Sequence, residues 1–124
     1  MTWFKCISEN GGGGSIELEQ VLTNGQVSTT SAYATASFED VSNYDFLFVK
    51  AYYDYNGVLK EYTTAVDVSQ ILTANNLDFW IETKEVGRLS LRITKTSIEG
   101  RNYGGAWRNV YVDIKGTNFE VWNN

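Results

Sequence analysis

The chain has 124 residues, of which 43% are hydrophobic and 20% charged, a composition typical of one folded domain rather than a disordered chain. Its net charge of −5 argues against nucleic-acid binding, because contacts with a phosphate backbone need clustered Lys and Arg. It contains 4 Trp, 8 Tyr and 6 Phe but no His, which leaves serine triads and catalytic zinc sites without their usual residue.

The N-terminal residues predict a short strand that a flexible linker joins to the main domain. Residues 2–7 are rich in strand-forming types, whereas residues 11–14 are all glycine and have no side chains to pack. A phosphate-binding loop would require a following Lys-Ser or Lys-Thr pair and a helix, which the sequence lacks. We predict an arm and linker over residues 1–15 and a β-domain over residues 16–124.

The N-terminus and the cysteine content bear on where the chain folds. No basic region followed by an apolar stretch is found there, and no apolar run approaches the roughly 20 residues of a membrane span. Cys6 is the only cysteine, so no intramolecular disulfide can form, and we interpret it as a small apolar strand residue. We expect folding in a reducing cytoplasm and no membrane insertion.

The first half of the domain alternates strand patterns with turn signals. Residues 16–22 alternate in polarity and are followed by Asn24-Gly25, which predicts a turn, and residues 32–38 predict a second strand. Residues 44–53 are nearly continuously apolar, which predicts a central strand covered on both faces, with Phe46 and Phe48 in the core. Asn56-Gly57 then predicts a hairpin to a strand over residues 58–66.

The second half contains one short helical signal and further strands. Asp67 is a candidate N-cap for a helical turn over residues 67–72. Strands are predicted over residues 77–86, 88–96, 107–114 and 119–122, with a loop over residues 100–105 and a turn over residues 116–118. The alternation predicts that one strand turns Leu89, Leu91 and Ile93 inward and that another has Val110, Val112 and Ile114 on one face. Eight or nine short strands favour an all-β fold, an antiparallel β-sandwich of the jelly-roll or Ig-like kind, with a small closed barrel as the alternative.

The aromatic residues in loops are the candidate binding residues. An aromatic ring stacks on the apolar face of a sugar, and neighbouring Asn, Arg and Tyr groups hydrogen-bond to the sugar hydroxyls. The candidate ligand-binding residues are Arg101, Asn102, Tyr103, Trp107 and Arg108 in one loop and Tyr53 and Tyr55, with Tyr52, around the hairpin turn. The alternatives for both groups are an edge of the core and a contact between subunits.

The acidic residues do not form a recognisable catalytic or metal-binding motif. Asp40, Asp54, Asp67, Asp78 and Asp113 fall at turns or on outward strand positions, where carboxylates cap and solubilise. The sequence contains no Asp-x-Asp-x-Asp-Gly run. We therefore expect no catalytic residues, no metal site and no cofactor.

Several short segments resemble a recurrent pattern in bacteriophage and prophage tail proteins. The pattern combines Trp3-Phe4-Lys5-Cys6, a polyglycine stretch, Leu22-Thr23-Asn24-Gly25, and a strand opening with Asn43-Tyr44-Asp45-Phe46-Leu47. In that family it usually lies at the distal end of a long fibre protein. The resemblance implies a structural and host-attachment module of a virion tail that assembles in the bacterial host cytoplasm.

The resemblance also implies partners. Tail adhesins of this kind are typically homotrimers that contact other tail proteins and, in some cases, glycans of the host surface. The residue 1–7 arm, through Trp3, Phe4 and Ile7, is the predicted contact with a neighbouring subunit or tail partner. The alternative function is a stand-alone carbohydrate-binding, lectin-like module of a bacterial surface system.

Overall fold

The fold is an antiparallel β-sandwich of two four-stranded sheets. A computed structural model describes residues 2–6, 18–103 and 108–123. Its elements are β1 (Thr2–Cys6), β2 (Glu19–Ser28), β3 (Thr35–Ser37), β4 (Phe46–Tyr55), β5 (Val58–Asp67), α1 (Val68–Ala74), β6 (Leu77–Thr83), β7 (Gly87–Ile93), β8 (Ser97–Tyr103), β9 (Val110–Thr117) and β10 (Phe119–Asn123). The first sheet has the order β2-β9-β4-β5 and the second β3-β8-β7-β6. The all-β sandwich prediction is confirmed, and the sheets do not close into a barrel.

The core lies between the two sheets and is built from alternate strand residues. Leu47, Val49 and Ala51 of β4 are fully buried, as are Leu91 and Ile93 of β7. The predicted inward faces of β7 and β9 are confirmed, because Leu89, Val110, Val112 and Ile114 join the same buried cluster. Burial of these aliphatic side chains is the main source of stability in a chain of this size.

Two local signals in the sequence correctly predicted how strands end. Tyr55 pairs with Val58, so Asn56 and Gly57 form a two-residue turn, with φ of 54° and 83°. Both residues take the left-handed conformation that a tight hairpin of this type requires. Asp67 caps α1, since its side chain accepts a hydrogen bond from the backbone N–H of Ser69 at 2.9 Å.

The terminal strands pair with each other. The backbone of β1 lies antiparallel to β10, with Trp3 opposite Trp122 and Phe4 opposite Val121. The backbone partner of the predicted arm is therefore the same chain's last strand. The rest of the predicted arm and linker, from Ile7 to residue 15, lies outside the described residues. The contact of Trp3, Phe4 and Ile7 with a partner remains a prediction.

Three turn or loop predictions were wrong. Asn24-Gly25 is a bulge inside β2, where the register to β9 shifts and Asn24 has φ 52°. Residues 100–103, predicted as loop, belong to β8, which is paired on both sides by β3 and β7. Gly116 and Thr117 continue β9 instead of turning, because both remain paired with β4.

The central strand β4 is covered on one face only. Its inward residues are buried in the core, whereas Phe46, Phe48, Lys50 and Tyr52 point to the opposite side and are half-buried. The prediction that Phe46 and Phe48 are core residues was therefore wrong. Phe38 and Phe79, by contrast, pack against the core. The outward residues of β4 define the surface described next.

Candidate functional site

The outer face of the first sheet presents aromatic and charged side chains in three rows. We call this surface the outer face. Cross-strand pairing places Tyr111, Tyr52 and Glu61 in the first row, Asp113, Lys50 and Thr63 in the second, and Lys115, Phe48 and Ala65 in the third. Opposite residues in neighbouring strands project to the same side of a sheet, so each row is a line of adjacent side chains. Each row runs across the strands, and the three rows follow one another along the length of β4.

Lys50 lies at the centre of the outer face and makes contact with two carboxylates. Its Nζ atom is 3.0 Å from Oε2 of Glu61 and 3.7 Å from Oδ2 of Asp113. The hydrogen bond to Glu61 and the charge of Asp113 raise the pKa of Lys50, so its ammonium stays charged at neutral pH. Lys50 thus links Glu61 of the first row to the second row, in which Asp113, Lys50 and Thr63 form a polar row across β9, β4 and β5.

The bulge in β2 adds Asn24 to this network. The backbone N–H of Asn24 donates to Oδ1 of Asp113 at 2.8 Å, and the Tyr52 hydroxyl contacts the side-chain oxygens of both Asn24 and Asp113. Burial and the hydrogen bond to Asp113 raise the pKa of Tyr52 to about 12, so its phenol is neutral at physiological pH. The left-handed backbone at Asn24 thus aims the bulge at Asp113.

Aromatic rings flank the polar row on both sides. The rings of Tyr52 and Tyr111 are stacked, with centroids 5.9 Å apart and planes inclined by 25°. On the other side, Phe48 lines a concavity of about 360 Å³ together with Leu18, Lys50, Thr63, Asp113 and Lys115. Aromatic rings beside fixed polar groups are the usual composition of a small-molecule binding site.

Some polar groups on the outer face have no partner within the described part of the chain. They are the hydroxyls of Tyr111 and Thr63 and the ammonium of Lys115. These groups can exchange water for the hydroxyls of a ligand without breaking an existing protein contact. The outer face therefore carries some donors that are already bound to carboxylates, such as Lys50, and others that are available to a ligand.

The two carboxylates of the outer face are both engaged by Lys50. Glu61 and Asp113 converge, but the Lys50 ammonium lies against both. Glycoside hydrolysis by paired acids needs one protonated carboxyl and one free carboxylate facing the substrate. Among residues 2–6, 18–103 and 108–123, no group of three or more Asp, Glu or Cys side chains is placed to hold a metal ion.

One residue of the predicted loop patch lies beside two tyrosines of the predicted hairpin patch. Arg108 lies over the rings of Tyr53 and Tyr55, at 5.6 Å from each centroid. Tyr53 is only 1% exposed, so its ring is part of the core and offers no surface to a ligand. Arg101 is exposed and lies near Glu99, at 3.6 Å, on the second sheet.

The side chains of the other predicted residues lie outside the described part of the structure. Asn102 and Tyr103 end β8, but nothing is described of their side chains, and Trp107 lies outside the described residues. Their role in ligand binding remains a prediction.

Glu85 fastens the same end of the sandwich. Its Oε1 accepts hydrogen bonds from the hydroxyls of Tyr53 at 2.7 Å and Tyr62 at 2.6 Å, and the two rings are stacked with centroids 6.4 Å apart. Lys60 lies 3.8 Å from its other oxygen. The turn between β6 and β7 is thereby tied to the β4–β5 hairpin.

This cluster predicts acid sensitivity. The hydrogen bonds from Tyr62 and Tyr53 lower the pKa of Glu85 from 4.5, so the unfolded chain binds the proton more tightly than the folded chain. Stability from Glu85 is therefore present above pH 4.5 and lost as the pH falls through the folded-state pKa. Urea unfolding of the wild type and of Glu85→Gln should show a stability difference that shrinks between about pH 7 and about pH 3.

The control for this experiment is Glu82→Gln, which removes an exposed carboxylate paired with Arg88 on the second sheet. It accounts for the loss of one negative charge without touching the tyrosines. A difference between wild type and Glu85→Gln that stays constant over the whole pH range would contradict the assignment.

Of the outer-face residues, Tyr52 alone was predicted from the sequence as a candidate binding residue. A signal was available in β4, where residues 48, 50 and 52 alternate with the aliphatic residues 47, 49 and 51. Reading residues 44–53 as one continuous apolar run concealed the lysine at its centre.

Comparisons with known proteins add no further assignment. The chain matches no protein-family model, no curated protein and no solved structure. In the described part of the chain, the one helix is far too short to cross a lipid bilayer.

Proposed function

We propose that this chain is a non-catalytic attachment module that binds carbohydrate on a host cell surface, as part of a phage or prophage tail. The observation that carries the proposal is the outer face, where stacked tyrosines and a phenylalanine flank the fixed Lys50–Asp113 row. Aromatic rings provide stacking surfaces, and ion-paired groups in fixed positions provide oriented hydrogen bonds.

The scaffold supports this proposal. The outer face is carried by the two central strands β4 and β9, whose inward residues are fully buried, so the backbone beneath it is rigid. A rigid backbone reduces the entropy lost on binding. The ion pairs of Lys50 also hold the polar groups in place before the ligand arrives.

The tail assignment rests on the sequence resemblance. One of the segments that carry it, Asn43-Tyr44-Asp45-Phe46-Leu47, leads directly into β4 and therefore into the outer face. A homotrimer on a tail fibre would present three such faces, and this multivalency would raise the avidity for a surface polymer. The trimer and its contacts with other tail proteins are part of the proposal.

The experiment is a binding assay with an array of bacterial surface glycans. We expect the wild type to bind a subset of glycans and Tyr111→Ala to lose that binding, because the substitution removes one of the stacked rings and an open hydroxyl. Trp80→Ala is the matched control, since Trp80 is 53% exposed and lies on the second sheet. Its binding should equal that of the wild type.

Thermal unfolding of each variant tests whether the fold is retained. Absence of wild-type binding both to the array and to intact bacterial cells would contradict the proposed function. A measured turnover of any of these glycans would contradict its non-catalytic character.

A further inference from the structure

We infer that the outer face binds an uncharged oligosaccharide of more than one sugar, laid along the direction of β4. The inference rests on the proposed function and deepens it by naming the ligand class and its orientation. Three observations support it: the spacing of the aromatic residues, the balance of charges between them and the continuity of the surface.

The aromatic residues are too far apart for a single sugar ring. Phe48 and Tyr52 lie on the same strand, four residues apart, so their Cα atoms are about 13 Å apart at roughly 3.3 Å per residue. Lys50 lies between them and projects to the same side. A ligand that contacts both rings must cross the polar row, which requires a chain of at least two sugars.

The row order also fixes which part of the ligand each group contacts. Tyr52 and Tyr111 form one stacking platform, and Phe48 with Leu18 forms the second, at the edge of the concavity. Leu18 is 40% exposed and so retains apolar surface for a ligand. The middle row supplies Asp113 and Lys50 as hydrogen-bonding groups for the hydroxyls between the two stacked sugars.

The charges favour an uncharged ligand. Across the three rows, Lys50 and Lys115 balance Glu61 and Asp113, and Lys50 is already engaged by both carboxylates. An anionic sugar would have to compete with both carboxylates for Lys50, which leaves Lys115 as its cation among the described residues of the three rows. The net charge of −5 also repels an anionic polymer at longer range. A cationic ligand would have to displace Lys50 from Glu61 and Asp113.

The first experiment measures length dependence. Defined bacterial surface oligosaccharides of one to six sugars, half of them neutral and half bearing uronic acid, sialic acid or phosphate, are titrated by calorimetry against the intact chain. We expect monosaccharides to bind weakly and the neutral tetrasaccharides and hexasaccharides to bind about tenfold or more tighter. Their affinity should be insensitive to salt between about 0.02 M and about 0.5 M NaCl, because no net charge is neutralised.

The second experiment tests the two platforms with Phe48→Ala and Tyr111→Ala. Each substitution should reduce the affinity for the hexasaccharide about tenfold. Each variant should still bind a monosaccharide weakly, because the platform that was not substituted is intact. Tyr111→Phe keeps the stacked ring and separates the contribution of its hydroxyl. Trp80→Ala should bind like the wild type.

The outcomes separate this inference from the proposed function. Glycan binding that is unaffected by both Phe48→Ala and Tyr111→Ala would overturn the inference and leave the attachment function standing. Tighter binding of acidic oligosaccharides with strong salt dependence, or equal affinity for monosaccharides and hexasaccharides, would also overturn it. Failure of the wild type to bind any oligosaccharide, the glycan array or intact bacterial cells would remove both, as would self-association through the outer face that Tyr111→Ala abolishes.

Discussion

Replacing Tyr53 with alanine is expected to lower the free energy of unfolding by about 3–5 kcal/mol, the cost typical of truncating a buried aromatic residue. Tyr53 is 1% exposed, stacks on Tyr62 and lies under Arg108. Its hydroxyl also donates to Glu85 at 2.7 Å. Removing the ring leaves a cavity and deprives Glu85 of one of its two phenol donors. Chemical denaturation monitored by fluorescence measures the loss.

Two further substitutions divide this effect into its parts. Tyr53→Phe keeps the ring and removes only the hydrogen bond to Glu85, so we expect a loss of about 1 kcal/mol. Tyr55→Ala is the matched control on the same strand, because Tyr55 also lies under Arg108 but is only half-buried. If Tyr53→Ala were as stable as Tyr55→Ala but failed to bind glycans, Tyr53 would be a ligand-binding residue rather than a core residue.

The elements predicted correctly are those that depend on residues near in sequence. Asn56-Gly57 favours two left-handed residues in succession, so the hairpin follows from the dipeptide alone. Asp67 can accept the hydrogen bond of a helix N-cap whatever surrounds it. The alternation of Leu89, Leu91 and Ile93 likewise requires only that one face of β7 be buried.

The errors arose where a distant strand decides the conformation. Asn24-Gly25 has the same turn-forming character as Asn56-Gly57, yet β9 continues to pair with β2 on both sides of it. The contact of the Asn24 backbone with Asp113, 89 residues away, stabilises a bulge instead of a turn. Similarly, β8 contains Gly100, a residue typical of loops, but pairs with neighbours on both edges.

The candidate site was only partly predictable for the same reason. Aromatic residues in loops were expected to bind the ligand, and the structure places Arg108 and Tyr55 together but buries Tyr53. The outer face is formed by residues of β2, β4, β5 and β9 that adjoin only after the sheet has formed. Which of the two alternating faces of β4 is covered depends on the second sheet, and both faces carry large apolar or aromatic side chains, with Lys50 the one charged residue between residues 46 and 53.

Gly116→Ala is the second substitution for which we expect a large loss, about 1–3 kcal/mol or more from overpacking. Gly116 is buried in β9, and a Cβ atom there would lie 2.6 Å from Cγ and 2.7 Å from Cδ1 of the Tyr44 ring. The ring is held in place because its hydroxyl donates to Oε2 of Glu19 at 2.6 Å. Gly87→Ala is the matched control: a Cβ atom there meets nothing within 4 Å, and only its φ of 73° is unfavourable.

A double-mutant cycle with Tyr44→Ala tests this cause directly. Removing the ring opens the space that the new methyl group needs, so Gly116→Ala should cost much less in the Tyr44→Ala background than in the wild type. The free energies of unfolding of the four proteins give the coupling between the two sites. If Gly116→Ala lowered the free energy of unfolding equally in both backgrounds, the Tyr44 ring would not be the cause of the loss. The close approach of the ring to β9 would then not require a glycine at position 116.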